Sequence, residues 1–293
     1  MKVLSIQSAV AYGHVGNSAA VFPLQRLGHE VWPVYTVNFS NHTGYGSWRG
    51  PAIPATQVAE VIEGVAERGA LNQVDAVLSG YQGGADIAKV IVETVARVKE
   101  ANPEAVYACD PVMGNAASGC HVDEAIPPLL RDLVVPAADI ITPNQFELGY
   151  LTGRPVGDLA STLAAVAAAR EMGPSTVLVT SVEHPDVPED AIEMLAVDPR
   201  GAWLVRTPRL PVKRNGSGDV AAALFTGHYV ATGDARRALE ATASSVFDLL
   251  RLTVEAGSPE LELVAAQDYY AQPRCQFEAR ALARPILVAG DEG

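Results

Sequence analysis

The fold is decided by residues 74–110, VDAVLSGYQGGADIAKVIVETVARVKEANPEAVYACD, in which two short apolar runs flank a longer amphipathic stretch. The runs at 74–81 and 105–110 have the length and β-branched content of buried strands. Between them, apolar side chains recur at three- and four-residue steps, as on the buried face of a helix: Ile87, Val90, Ile91, Val95 and Val98. This strand–helix–strand pattern predicts two parallel strands joined by a crossover helix.

The same alternation extends along the chain in both directions. Further short apolar runs predict strands at residues 3–8, 31–37, 139–142, 176–180, 192–197 and 203–207. Helical patterns cover 163–172 and 235–256, and the turn Asp198-Pro199-Arg200-Gly201 predicts a hairpin between the last two strands. The sequence therefore predicts an α/β fold with a central, mostly parallel sheet and helices on both of its faces.

No repeat or polar linker divides the chain, so one domain is expected over residues 1–271. A loosely ordered C-terminal tail is expected over 272–293, because this stretch contains Pro273 and Pro285 and ends in Gly-Asp-Glu-Gly.

Composition and charge exclude several classes of protein. The 293 residues carry 34 acidic and 21 basic side chains, a formal net charge of −13, which would repel nucleic acid. No apolar run approaches the roughly 20 residues of a bilayer span, and Met1 and Lys2 lead into a strand without a signal peptide. Three widely spaced cysteines indicate reduced thiols. We therefore expect a cytoplasmic protein that binds neither nucleic acid nor membrane.

Ligands of open parallel sheets bind outside the carboxyl ends of the strands. Polar segments follow four of the predicted strands there, at residues 8–17, 79–84, 110–115 and 142–147. Neither the G-x-G-x-x-G spacing of a dinucleotide site nor a P-loop occurs in the sequence. If the protein binds phosphate, another loop must hold it.

The best candidate for that loop is Asn215-Gly216-Ser217-Gly218-Asp219, which precedes an apolar helical run. Two glycines let the backbone turn several N–H groups toward one anion, and the helix dipole adds to the attraction. An aspartate at the helix start would be close to that phosphate and able to accept the proton of an attacking hydroxyl. The alternative from spacing alone is a simple helix cap behind a flexible loop.

Two carboxylates, Asp110 and Glu147, follow adjacent predicted strands. Together they can hold Mg²⁺, directly or through water, as phosphoryl transfer requires. Taken singly, each carboxylate has a simpler interpretation: Asp110 before Pro111 as a turn aspartate, and Glu147 as a first-turn helix acid.

Taken together, these segments resemble the pyridoxal kinases of the ribokinase-like superfamily, from residue 3 to about residue 267. The resemblance rests on GHVGNSAA at 13–20, FSNHTGY at 39–45 with Trp48, LSGY at 78–81, CDPVMG at 109–114, ITPNQFE at 141–147 and GSGD at 216–219. It implies a ribokinase-like fold without a large separate lid, ATP as co-substrate, Mg²⁺, a monovalent cation and a homodimer.

The resemblance also implies roles for individual residues. Asp219 would be the catalytic base, and the amides of Gly216, Ser217 and Gly218 would form the anion hole. The residues implied to bind the vitamin substrate, pyridoxal, are Ser8, Thr43, Gly44, Tyr81 and Asp219. Without the resemblance, Ser8 and Thr43 are interpreted as loop hydroxyls with satisfied hydrogen bonds, and Tyr81 as a packing aromatic. On the ATP side they are Asp110, Thr142, Asn144, Glu147, Thr180, Ser181, Thr207, Pro208, Arg209 and Leu210, and of these Asp110 and Glu147 are the metal ligands.

Two positions depart from the family pattern. Thr180 stands where many bacterial relatives have a lysine, and hydroxyl groups supply no point charge to a triphosphate. Asn115 stands where some relatives carry an aspartate near the metal. Lys213 and Arg214, just before the anion loop, can compensate for the missing lysine, but the simpler interpretation is an exposed basic pair.

The function that the resemblance implies is ATP- and Mg²⁺-dependent phosphorylation of the 5′-hydroxyl of pyridoxal, extending to pyridoxine and pyridoxamine. The alternatives are a hydroxymethylpyrimidine kinase of the same superfamily and a non-catalytic carrier of vitamin B6 or pyridoxal phosphate. In the former a cysteine commonly replaces the base, so Asp219 and the Thr43-Gly44-Tyr45 string weigh against it. The sequence leaves open the vitamer preference, the monovalent cation and the oligomeric state.

Overall fold

Alternating strands and helices build the part of the chain that the computed structural model describes, residues 1–212 and 214–282. The strands are β1 (Lys2–Val10), β2 (Glu30–Phe39), β3 (Ala76–Ser79), β4 (Val106–Cys109), β5 (Gly114–Asn115), β6 (Gly119–Cys120), β7 (Ile140–Ile141), β8 (Thr176–Val182), β9 (Ala191–Asp198), β10 (Gly201–Pro208) and β11 (Arg280–Ala281). The helices are α1 (Asn17–Arg26), α2 (Ala55–Ala66), α3 (Ile87–Ala101), α4 (Ile126–Leu129), α5 (Gln145–Thr152), α6 (Leu159–Glu171), α7 (Ser217–Thr232) and α8 (Ala235–Glu255). Every strand and helix predicted from the sequence is present.

One sheet runs through this part of the chain in the order β11-β10-β9-β8-β7-β4-β3-β1-β2. Its pairs are parallel from β2 to β8 and antiparallel from β8 to β11. The predicted hairpin joins β9 to β10, and the Asp198 carboxylate accepts the N–H groups of Arg200 and Gly201 at its turn. Within the described residues the only other sheet is the two-stranded ribbon of β5 and β6, so the expected absence of a large lid is confirmed there.

Both faces of the sheet are covered, as predicted. In β1, Leu4 and Ile6 pack into a cluster with α2, α3, α5 and α6, whereas Val3 packs on the opposite face with α1, α7 and α8. Buried strands covered on both faces consist of continuous apolar runs rather than alternating ones, which is why these runs were readable in the sequence. In the described ranges no helix is long and apolar enough to cross a bilayer.

The segment that follows residue 272 is tied to the body of the protein. Asp248, fully buried in α8, accepts the N–H groups of Arg274 at 2.5 Å and of Cys275 at 2.9 Å. Further on, β11 pairs with the outer side of β10. The expected start of a loose tail at 272 therefore does not coincide with a loss of contacts, and residues 283–293 lie outside the described residues.

Replacing Asp248 by alanine should destabilise the protein and release this segment. The change leaves two backbone N–H groups and the Arg251 guanidinium without their buried acceptor, which typically costs about 3 kcal/mol or more. The free energy of unfolding from urea titration, with limited proteolysis after residue 272, measures both effects.

Asp268→Ala is the matched control, because that aspartate is 86% exposed and makes only a surface ion pair with Arg26. Equal stability of Asp248→Ala and Asp268→Ala would contradict the anchoring role.

Candidate active site

A cavity of about 270 Å³ lies at the carboxyl ends of the parallel strands. It gathers segments that are more than 200 residues apart in the chain. Of the residues predicted from sequence, the following line it: Ser8, Thr43, Gly44, Tyr81, Asp110, Thr142, Asn144, Glu147, Thr180, Ser181, Gly216, Ser217, Gly218 and Asp219. The structure thus brings almost the whole predicted set to one place.

Four predicted residues lie elsewhere. Thr207, Pro208, Arg209 and Leu210, at and after the end of β10, do not line this cavity. Arg209 instead pairs with Glu183 at 3.0 Å, and its N–H donates to the carbonyl oxygen of Asp190. Their predicted place on the ATP side of the site stays a prediction.

Sequence reasoning missed the apolar wall of the cavity. It consists of Val10, Val15, Val37, Phe39 and Val112. In the sequence these residues cannot be told from ordinary core positions. Val37 and Phe39 lie in β2, the outermost strand of the sheet, so their location became informative only once the strand order was known.

The predicted anion loop forms the start of α7. Gly216 is the residue before the helix and has φ +87°, a conformation that favours glycine. A Cβ atom there would lie 1.7 Å from the carbonyl oxygen of His14. The loop 13–16 therefore packs directly on the helix N-terminus, where the first amides lack partners within the helix.

Asp219 occupies the first turn of α7, next to these amides. Burial raises the pKa of its carboxyl, while hydrogen bonds from the N–H of Gly16 and from its own N–H lower it. Gly16, at φ +51°, approaches so closely that a Cβ atom would lie 2.2 Å from the Ser8 hydroxyl oxygen. The loop 13–16 thus contacts both Ser8 and Asp219.

Asp110 follows β4 and is almost completely buried. Burial raises the pKa of its carboxyl well above the ordinary value, and the charges of Glu147 and Asp219 raise it further. The neighbouring Thr142 hydroxyl acts in the opposite direction. Three carboxylates thus converge on one cavity and oppose one another's ionisation.

Glu147 is both a helix cap and a cavity residue, so the two sequence interpretations are compatible. Its Oε1 accepts the N–H groups of Met113 at 2.9 Å and Gly114 at 3.3 Å, and its Oε2 accepts that of Asn144 at 2.9 Å. Asn144 caps the N–H of Glu147 in return, which completes a capping box. Even with these donors, burial raises the pKa of Glu147.

The donor set suits a hard cation. Across the described ranges, no three His, Cys, Asp or Glu side chains form a ready-made metal cage. Mg²⁺ seldom needs one, since it commonly uses one or two carboxylates, water and substrate phosphate. Asp110, buried beside two other carboxylates, fits a direct ligand, whereas both oxygens of Glu147 already accept N–H groups and fit contact through water.

Thr180 and Ser181 line the cavity at a break in the β8–β9 pairing. The N–H of Thr180 donates to the carbonyl oxygen of Pro143 at 3.0 Å, which fixes this end of β8 against the loop after β7. Ser181 has φ +53° and is the only non-glycine residue with a positive φ in the described chain. Such strained residues concentrate at functional sites.

Comparisons with known proteins agree with this geometry. A family model described as phosphomethylpyrimidine kinase matches residues 37–261. A relative from Corynebacterium diphtheriae, pyridoxal kinase PdxY, is 69% identical over 97% of this chain and 100% of its own length. A second pyridoxal kinase PdxY, from Leifsonia xyli subsp. xyli, is 72% identical over 94% of this chain and 98% of its own.

Solved structures show the same similarity. The pyridoxal kinase from Leishmania donovani in complex with ADP and pyridoxine is 31% identical, with a TM-score of 0.90. The match covers 96% of this chain and 99% of that one. The expected fold class is therefore confirmed.

Replacing Asp110 by asparagine should stabilise the free protein at pH 8 while removing activity. A carboxyl whose pKa is raised by folding destabilises the native state above its ordinary pKa, so the contribution of Asp110 to stability should fall as the pH rises from about 4 through its raised pKa. The isosteric amide carries no charge to bury. We expect an increase of several degrees in the unfolding temperature at pH 8, shrinking toward pH 4, in scans without Mg²⁺ or nucleotide.

Asp86→Asn, at an exposed carboxylate outside the cavity, is the control for a general effect of lowering negative charge. An Asp110→Asn protein that is less stable than wild type at pH 8 would show that the unliganded carboxylate is stabilising.

Proposed function

Because this chain belongs to the pyridoxal kinase family, we infer that it transfers the terminal phosphate of ATP to the 5′-hydroxyl of pyridoxal. Two curated pyridoxal kinases share about 70% of its residues over nearly the whole length. Pyridoxine and pyridoxamine are proposed as further acceptors, because the Leishmania donovani kinase forms complexes with both.

The observation that carries this proposal is the position of Asp219. It lies in the same helix turn as the amides of Ser217 and Gly218, and all three line the cavity that Ser8 and Thr43 also line. We propose that the amides hold the terminal phosphate while Asp219 accepts the proton of the attacking hydroxyl. The bond from that oxygen to phosphorus forms, the bond from phosphorus to the bridging oxygen breaks, and ADP leaves with the electron pair.

The vitamin ring is proposed to bind on the opposite wall. Val37 and Phe39 offer an apolar surface to a flat ring, and Tyr81, half buried, lies at the same cavity. Ser8 and Thr43 then provide hydroxyl groups for the polar edge of the pyridine. This combination of apolar wall and few hydroxyls fits a vitamer better than a sugar.

Mg²⁺ is proposed to be held by Asp110 directly and by Glu147 through water. The ion would supply charge neutralisation for the triphosphate. In its presence, the negative charge at Asp110 becomes favourable rather than costly. A monovalent cation, which the resemblance implies, is proposed as a further cofactor.

On the triphosphate side, Thr180 and Ser181 are proposed to donate hydrogen bonds where many bacterial relatives use a lysine. Arg214 also lines the cavity, and its Nε donates to the carbonyl oxygen of Ser258 at 3.0 Å. The positive charge of Arg214 can offset part of the charge of the missing lysine. Lys213 lies outside the described residues.

We also propose a homodimer in a reducing compartment, the cytoplasm. Free cysteines, including the exposed Cys120, suit such a compartment. Exposed aromatic side chains on and beside the edge strand β2, Tyr35 and Trp48, are typical of a contact surface. Analytical ultracentrifugation measures the oligomeric state.

The competing activity is phosphorylation of a pyrimidine: hydroxymethylpyrimidine is the alternative from the sequence, and phosphomethylpyrimidine is the compound named in the description of the matching family model. A coupled ADP-release assay with pyridoxal, pyridoxine, pyridoxamine and hydroxymethylpyrimidine compares the two. Pyridoxal should have the highest kcat/KM; a higher value for hydroxymethylpyrimidine would reassign the substrate, and no turnover of any acceptor would favour a carrier.

Replacing Asp219 by alanine should lower kcat at least ~10²-fold with little change in either KM, because proton acceptance and local charge act mainly in the transition state. The measurement is steady-state kinetics with pyridoxal and ATP as varied substrates. The matched control is Asp86→Ala, an exposed carboxylate directly before α3 and outside the cavity. Activity of Asp219→Ala equal to that of the control would exclude Asp219 as the base.

A further inference from the structure

Glu260 is a nearly buried carboxylate that does not line the cavity. It lies in the segment that follows α8 and is 8% exposed. It is separated by more than 200 residues from each of its partners described below. Burying a charged group costs free energy, so a buried carboxylate with three separate partners is expected to do more than pack its own segment.

The first group of contacts joins Glu260 to the turn that contains Thr43 and Gly44. Its Oε1 accepts the Tyr45 hydroxyl at 2.5 Å and lies 3.1 Å from His42 Nε2. The rings of His42 and Tyr45 stack with centroids 4.6 Å apart. The hydrogen bond to Glu260 is the main cause that raises the pKa of the Tyr45 phenol. The carboxylate therefore holds both ends of this turn.

The second contact joins Glu260 to the loop 13–16. Its Oε2 accepts the N–H of His14 at 3.2 Å. A Cβ atom on Gly13, which has φ +87°, would lie 2.4 Å from the same oxygen. The absence of a side chain at Gly13 is thus what lets the carboxylate reach the loop backbone.

Each of these segments contributes directly to the cavity. Thr43 and Gly44 line its vitamin side. The loop 13–16 places the Gly16 N–H on the Asp219 carboxylate. The Glu260 carboxylate therefore contacts the turn that lines the acceptor side of the cavity and also the loop that contacts the proposed base.

We propose that Glu260 is a positioning residue for the vitamer: its carboxylate fixes the 42–45 turn against the 13–16 loop, so that Thr43 meets the polar edge of the ring while the base faces the hydroxymethyl group. This rests on the proposed function. The nucleotide side depends less on Glu260, because Glu147 and Thr180 are held by hydrogen bonds that do not involve the 13–16 loop, and the Ser217 hydroxyl donates to the carbonyl oxygen of Arg214 at 3.0 Å.

The test is the division of the effect between the two substrates. For Glu260→Ala we expect KM for pyridoxal to rise about tenfold or more, with KM for ATP within about twofold of wild type, since charge-assisted hydrogen bonds orient the turn. Glu260→Gln keeps the size and one acceptor oxygen and should show a smaller rise. A residue that only stabilises the fold would reduce the active fraction, and hence kcat, and leave both KM values unchanged.

Tyr45→Phe provides a second measurement in a protein that keeps the aromatic ring and loses the hydroxyl, with its bond to Glu260 and its interaction with Tyr12. Its effect on pyridoxal KM should be less than additive with that of Glu260→Ala in the double variant, because both changes remove the hydrogen bond from Tyr45 to Glu260. Glu262→Gln, the same chemical change two residues along the segment, is the control and should behave as wild type.

Unchanged pyridoxal KM in both Glu260 variants, or strictly additive effects with Tyr45→Phe, would overturn the proposal. So would equal increases in the KM values for pyridoxal and ATP. If the wild-type protein does not phosphorylate pyridoxal, the proposed function fails instead; a wild-type enzyme with normal turnover and insensitive Glu260 variants refutes only the positioning role.

Discussion

The backbone of the loop 13–16 lies so close to the first turn of α7 that Gly216 has no room for a side chain. This contact joins the first strand of the sheet to a helix that begins 200 residues later. It brings Ser8, at the end of β1, to the same cavity as Asp219, and it supplies the Gly16 N–H to the Asp219 carboxylate. The remaining features of the site depend on it, because an acceptor alcohol and a base separated by even 1 Å from their productive distance react far more slowly.

The second constraint is electrostatic. Asp110, Glu147 and Asp219 converge on the cavity, and burial together with their mutual repulsion disfavours the charged forms. The free protein therefore carries a destabilising arrangement at its functional centre, as active sites commonly do. In the proposed function, a divalent cation and the donors of a nucleotide site turn that repulsion into attraction, which would couple ligand binding to stability at these three groups.

Much of this was predictable from sequence because it is encoded locally. Strands buried on both faces are continuous apolar runs, and polar residues directly after them must meet at one edge of the sheet, which located Asp110, Thr142 and Glu147. The glycines around Ser217 marked a turn of amides at a helix start. Glu260 had no such signal: its partners are Tyr45, His42 and the backbone of His14, and nothing within its own segment distinguishes it from a surface acid. Likewise, Asp248 resembles an ordinary helix residue, although it anchors the chain after 272.

The cavity has two halves of different origin, which in the proposed function hold the phosphates and the acceptor alcohol. The phosphate half is built from backbone amides and carboxylates fixed by helix starts and strand ends, such as Gly216 and Glu147. The acceptor half depends on side chains and on the 42–45 turn, which a single carboxylate ties down from outside the cavity. Amides bind any terminal phosphate in the same way, whereas a turn can be rebuilt around another alcohol without disturbing them. Relatives that act on different heterocycles can therefore share the first half and differ in the second, and the selectivity of this chain is expected to reside in the contacts around Thr43 rather than in the anion hole.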